Sequence, residues 1–150
     1  MALTPDILAY HKAQSPSDRA ICEVLAEAID GHFFGKKPVA GAECKVWHRH
    51  PVWFIEGNPI VGYHKLKGGG KSAGKDSGCI RLMFWSGKSF DEPGLPADPP
   101  KSKFMAAAAR FTSPDDISAK DLKRWLKKGV EIQWDYKNIM KRKGRLVRLK

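Results

Sequence analysis

Between residues 43 and 66, three runs of strand character follow one another with almost nothing between them. ECKVWH (43–48) alternates, VWFIE (52–56) resumes beyond the break at Pro51, and IVGYHKL (60–66) follows the turn signal Gly57-Asn58-Pro59. Connections this short join only antiparallel neighbours, because a parallel crossover needs a dozen or more residues. A doubly wound parallel sheet is thereby excluded. The run CIRLMFW (79–85) is the most apolar and is expected to form the central strand. The stretch DEPGLPADPPKSK (91–103) holds four of the ten prolines and must be a loop. Segment 104–112 is divided: its four consecutive alanines favour helix, while Arg110-Phe111-Thr112 fits a strand end. Strand is expected, because Ser113 immediately opens a new helix.

Helices flank this meander. Thr4-Pro5-Asp6, Ser15-Pro16-Ser17-Asp18 and Ser113-Pro114-Asp115-Asp116 each place a hydroxyl at the N-cap and proline just inside, with acids in the first turn. They predict helices over about 5–13, about 16–34 and from about 116. The second carries Ile21, Leu25, Ala28, Ile29 and His32 at helical spacing, with Gly35 as its stop. Leu122, Trp125 and Leu126 make one stripe, Gly129 kinks or ends that helix, and a further helix is expected over about 131–143. The closing GRLVRLK alternates like a strand. The class is α+β: an antiparallel sheet of about five strands with N- and C-terminal helices packed on it, in one domain over 1–150 that has an N-terminal extension helix within 1–15.

A chain of 150 residues that is 42% hydrophobic can bury a core and is not disordered. No apolar run is long enough for a membrane span. The N-terminal MALTPDILAYHK lacks a basic region followed by an apolar one, and three cysteines make no disulfide framework, so a cytoplasmic setting is expected. The net charge of +11 is uneven. Residues 1–64 hold six basic and seven acidic side chains, 65–116 nine and six, and 117–150 twelve and three. The excess reads either as a nucleic-acid footprint over Lys120–Lys150 with Lys67, Lys71 and Lys75, or as a solvated helix face with a basic tail.

Several patterns have the spacing of known chemistry. GGGKSAGKDSG (68–78) contains G-x4-G-K, but Asp76 stands where a phosphate-binding loop needs Ser or Thr, and a strand follows instead of a helix. Cys44, His48 and His50 fall on one strand face if the strand persists, which is short of a full zinc or iron ligand set. Glu23, Glu27 and Asp30 share a helix face of the ordinary solvent-facing kind. No nucleophile elbow is present, so no catalytic residue is assigned. The aromatic residues are more informative. His48, Trp53, Arg81, Trp85, Trp134, Tyr136 and Lys137 interleave rings with polar and cationic groups. They are the candidate ligand-binding residues: they either wall a pocket for an anionic or planar ligand or fill the core beneath the sheet.

The strings VWHRHPVWFIEGNPIVGYHKLK (46–67) and IRLMFWSGKSF (80–90) resemble the YdhG-like family, a domain of unknown function. KFMAAAARFTSPDDIS (103–118), DLKRWLKKG (121–129) and IQWDYKNIMKRKG (132–144) resemble a subgroup of it, so the likeness covers about residues 16–150. The resemblance implies a frataxin-like fold, with helices on one face of an antiparallel sheet. It implies no established activity. Some members are described as frataxin-like iron chaperones, whose iron binding uses an acidic ridge. Here Glu23, Glu27, Asp30 and Glu43 are its only counterparts, on a strongly basic chain. The expected function is a binding module, without enzymatic activity or cofactor, for a small ligand or protein partner. Nucleic-acid association and metal delivery are the alternatives, and a homodimer is compatible with an apolar face.

Overall fold

The computed structural model describes residues 3–67, 78–98 and 100–150. The phosphate-loop-like segment therefore lies, up to Ser77, outside the described residues, as do Lys71 and Lys75. Two helices come first, α1 (Pro5–Lys12) and α2 (Pro16–Phe34). Thr4 and Ser15 accept from the backbone N–H groups of Ile7 and Asp18, the capping expected of their spacing. The strands follow as β1 (Ala42–Trp47), β2 (His50–Ile55), β3 (Asn58–Lys67), β4 (Gly78–Phe84) and β5 (Ala107–Phe111). Helix α3 (Ala119–Glu131) comes after a short 3-10 turn at Pro114–Asp116.

Every strand pairs antiparallel with its sequence neighbour, giving the order β1-β2-β3-β4-β5. The two short hairpins have two-residue connections. His48 and Arg49 have φ of 52° and 73°, and Glu56 and Gly57 have φ of 49° and 81°. Positive φ at both central residues is the signature of a type I′ turn, whose twist matches that of the flanking strands. The turn thus falls one residue earlier than Gly57-Asn58-Pro59 suggests, and Asn58 already belongs to β3.

The helices cover one face of the sheet. Ile7, Ile21, Leu25, Ile29 and Phe33 meet Trp53, Val61, Tyr63, Ile80, Leu82 and Phe84, and α3 adds Leu122, Trp125 and Leu126. In its interior Tyr63 lies 2.6 Å from His11 Nε2. Burial pushes the Tyr63 phenol up and the His11 imidazole down, so the phenol donates to a neutral ring.

Two expectations are corrected. The central strand is β3, not the more apolar run 79–85. β4 is apolar because Ile80, Leu82 and Phe84 lie buried under the helices, while Met83 packs partly buried in a second cluster on the far side. Helix α3 runs through Gly129 to Glu131, and residues 132–143 form no further helix. After Glu131 the backbone pairs elsewhere: the Leu149 and Lys150 N–H groups donate to the Gln133 carbonyl, and Asp135 N–H donates to the Val147 carbonyl. The Asp135 carboxylate accepts from Asn138 N–H and from Arg142, which turns the chain back through 137–144. Only one isolated bridge, Trp134 to Arg148, remains of the expected final strand.

Candidate functional site

The sheet face opposite the helices is where the polar and aromatic candidates gather. Alternation along β1 and β2 sends Cys44, Trp53 and Ile55 into the helix-covered core, and Trp47, His50, Val52 and Phe54 to the far face. Because the strand stops at the 48–49 turn, Cys44 and His50 lie on opposite faces. This separates the C-x3-H-x-H pattern. Among the described residues, no three His, Cys, Asp or Glu side chains converge as a metal site.

On the far face Val52, Phe54 and Trp85 form a buried floor, with Trp47, Met83 and Tyr136 packed against it. Trp47 sits edge-on to Phe54 at 5.4 Å and tilted against Trp85 at 6.1 Å. Trp85 lies across β3 at Gly62, where the Pro51 carbonyl, more than the indole, excludes a side chain. A Cβ there would meet a Trp85 ring carbon at 3.4 Å and the Pro51 carbonyl oxygen at 2.5 Å.

Beside this floor stands a polar row. His64 on β3 pairs in register with Arg81 on β4, and Arg81 with Arg110 on β5. Two arginines directly opposite each other repel. Asp98 resolves the conflict by accepting from Arg81 Nε and Arg110 Nη2, both at 2.9 Å. The loop carrying Asp98 is held at the sheet by backbone bonds, from Asp98 N–H to the Ala106 carbonyl and from Ala108 N–H to the Pro96 carbonyl.

Arg81 Nη1 lies 3.2 Å from His64 Nε2. A guanidinium only donates, so His64 Nε2 accepts and the proton of the neutral ring sits on Nδ1. The His50 ring is 4.8 Å from that of His64, and its Nδ1 is buried without a hydrogen-bond partner. Burial and then the neighbouring His50 and arginines hold His64 down at about 4, and burial lowers His50 too. Both rings are therefore neutral at physiological pH. His48 and Arg49 are exposed on the adjoining turn, and the His48 ring lies 4.2 Å from Trp47.

The seven residues chosen from sequence thus separate. Arg81, Trp85 and His48 belong to this face. Tyr136 braces it: its hydroxyl donates to the Trp85 carbonyl at 2.6 Å and accepts from Met105 N–H. Trp53 is on the other side of the sheet with no exposed surface, so it is core and walls no site. Trp134 and Lys137 fasten the C-terminal segment, donating to Ser89 Oγ and to the Glu56 carbonyl. Lys137 also lines a separate cavity of about 540 Å³ beside the 56–57 turn. Its buried polar groups Asn58, Gln133 and Asp135 already bond within the protein.

Selection by residue type missed His64, Arg110 and Asp98 altogether, and singled out His50 only as a metal ligand. The signal for His64 is its pairing with Arg81. The ten or so residues between β3 and β4 hide that register, unlike a two-residue turn, which fixes its register outright. The thiols offer no activated nucleophile, since burial pushes Cys22 up to about 12, Cys44 up to about 11 and the partly buried Cys79 upward too.

Fold and site define a class: an α+β domain with a five-stranded antiparallel meander, helices on one face and an aromatic and cationic patch on the other. No family model, no curated protein and no solved structure matches the chain.

Proposed function

We propose that the protein is a binding module of the YdhG-like, frataxin-like kind, working in the cytoplasm, with its ligand seated on the sheet face opposite the helices. The observation that carries this reading is the group His50, His64 and Arg81 beside the half-buried ring of Trp47. Two neutral imidazoles and a guanidinium supply directional donors, and the indole supplies a planar contact. Such a set suits a small planar or anionic ligand better than it suits chemistry, because no activated nucleophile adjoins it.

A second reading, nucleic-acid association, draws on the exposed Lys120, Lys123 and Lys127 of α3 and on Lys141, Lys143 and Arg145 beyond it. The two are separated by titrating the protein with aromatic carboxylates, nucleoside monophosphates and a labelled single-stranded oligonucleotide while following tryptophan fluorescence and anisotropy. The small-ligand reading expects saturable quenching by a small anion that Arg81→Gln or Trp47→Ala weakens about tenfold or more. Binding confined to the oligonucleotide, insensitive to Arg81→Gln and abolished by moderate salt, would replace it with the second reading.

A further inference from the structure

A groove of about 350 Å³ runs between α2 and α3 on the helical side of the molecule, away from the far face of the sheet. Val24, Ala28 and Gly31 line it from α2, Leu122 and Leu126 from α3, and Ile117 from the segment that leads into α3. The spacing of the α2 residues, i, i+4 and i+7, puts them on one helix face. Val24 is 39% exposed, so this apolar surface is open to solvent.

Gly31 keeps the groove open. A glycine inside a helix is less favourable than an alanine, and the usual compensation is close approach by a neighbour. That compensation is missing here: a Cβ at Gly31 would meet no atom within 4 Å. The absent side chain leaves space instead of admitting a neighbour.

The polar groups of the groove are two. Lys123 is the one charged side chain that lines it, and His32 is the one imidazole. Arg124 and Lys128, on the same helix, are both held by Glu92, whereas Lys123 is in no ion pair among the described residues. The His32 ring meets the edge of Phe33 at 5.9 Å and has no hydrogen-bond partner among the described residues. Burial and then the charge of Lys123 lower the His32 imidazole, so the ring is neutral at pH 7 and able to donate one N–H. The carboxylates of α2, Glu23, Glu27 and Asp30, line a neighbouring hollow that shares only Gly31 with this one.

We propose that this groove is a second binding site and takes a medium-chain aliphatic monocarboxylate, with the carboxylate on Lys123 and His32 and the alkyl chain over Ala28, Gly31, Leu122 and Leu126. One ammonium with one N–H donor beside it complements a single carboxylate. The remaining lining is aliphatic, with no ring to stack on and no charge to satisfy, which favours an alkyl chain over a planar or polar ligand. The volume lies at the lower end of the range for small-molecule sites.

Calorimetric titration of the whole chain at about pH 7.5 with butanoate, hexanoate and octanoate tests this, with octylammonium as the head-group control. Affinity should rise about two- to fourfold for each added methylene, since a fully buried methylene is worth about fourfold. Octanoate should shift the methyl resonances of Val24, Ile117 and Leu122 in the unaltered protein, a readout that needs no variant. Gly31→Leu fills open space in a helix, so its urea midpoint should be no lower than that of the natural chain, while octanoate binding weakens tenfold or more. Lys123→Gln should weaken octanoate about tenfold and preserve the increment per methylene. Affinity that does not change with chain length overturns the placement of the alkyl chain. Octylammonium binding as tightly as octanoate overturns the carboxylate. Absence of octanoate binding at millimolar concentration, unmoved methyl resonances, or undiminished binding by folded G31L overturns the site. A dimer in sedimentation that G31L dissociates would give the groove to a second copy of the chain and overturn the small ligand.

Discussion

His48 and Arg49 both occupy the left-handed region of backbone space while carrying a Cβ. A non-glycine residue there costs about 1 kcal/mol or more, and type I′ turns ordinarily use Asn-Gly to avoid it. The second hairpin follows that preference in part, with Gly57 at its second central position. The first spends conformational energy to hold an imidazole and a guanidinium at the rim of the aromatic patch. Replacing His48-Arg49 by Asn-Gly is therefore expected to stabilise the fold by about 1 kcal/mol in urea unfolding. A loss of stability instead would show that the two side chains make contacts worth more than the strain. Sequence inspection picked out His48 as a polar candidate, but its place depends on a turn made of residues that do not ordinarily form one.

At the scale of elements, the proline-rich loop after β4 was legible as a loop, but its anchorage was not. The Glu92 carboxylate, with 4% of its side chain exposed, accepts from Arg124, Lys128 and the Trp125 indole of α3 at 2.6 to 3.0 Å. It is covered by its cationic partners, not sunk in apolar surroundings, so hydrogen bonds from Arg124 dominate and hold it down at about 2. Phe90 and Leu95, on either side, are buried in the main core. This clamp fixes the near end of the loop, and the far end carries Asp98 to the two arginines. Glu92→Gln keeps the shape but removes the charge, and is expected to lower unfolding stability by about 1–2 kcal/mol. If the site depends on the loop, the same variant also weakens ligand binding without touching the patch. An unchanged denaturation midpoint would refute the clamp. Helix starts were read well at Thr4-Pro5 and Ser15-Pro16, whereas Ser113-Pro114 caps only a 3-10 turn and Ser118 caps α3, which begins at Ala119. Prediction failed over 131–143, where the composition suits a helix but Asn58, Ser86 and the C-terminal residues provide other partners for the same backbone.

For the whole molecule, acid sensitivity follows from the histidines. Burial lowers His11, His32, His50 and His64, so each binds protons more weakly in the folded chain than in the unfolded one. Stability is then complete above the ordinary histidine value of about 6.5 and declines as pH falls from there towards 4. A second loss follows between about 4.5 and 2, where the depressed Glu92 carboxylate takes its proton. Denaturant midpoints measured between pH 8 and pH 3 should fall by the equivalent of a few kcal/mol, beginning below pH 7. A flat profile down to pH 5 would contradict the burial of the imidazoles. Charge partition, the antiparallel class and the two N-terminal helices follow from the sequence itself, because N-caps, helical periodicity and hairpin-length connections act over a few residues. Only the tertiary structure decided which face each strand residue takes. It sent Trp53 into the core, brought His50, His64 and Arg81 together across three strands, and supplied Asp98 from a distant loop. Those outcomes depend on register and on which face the helices cover, and both are settled by burial summed over the whole chain, not by any local preference.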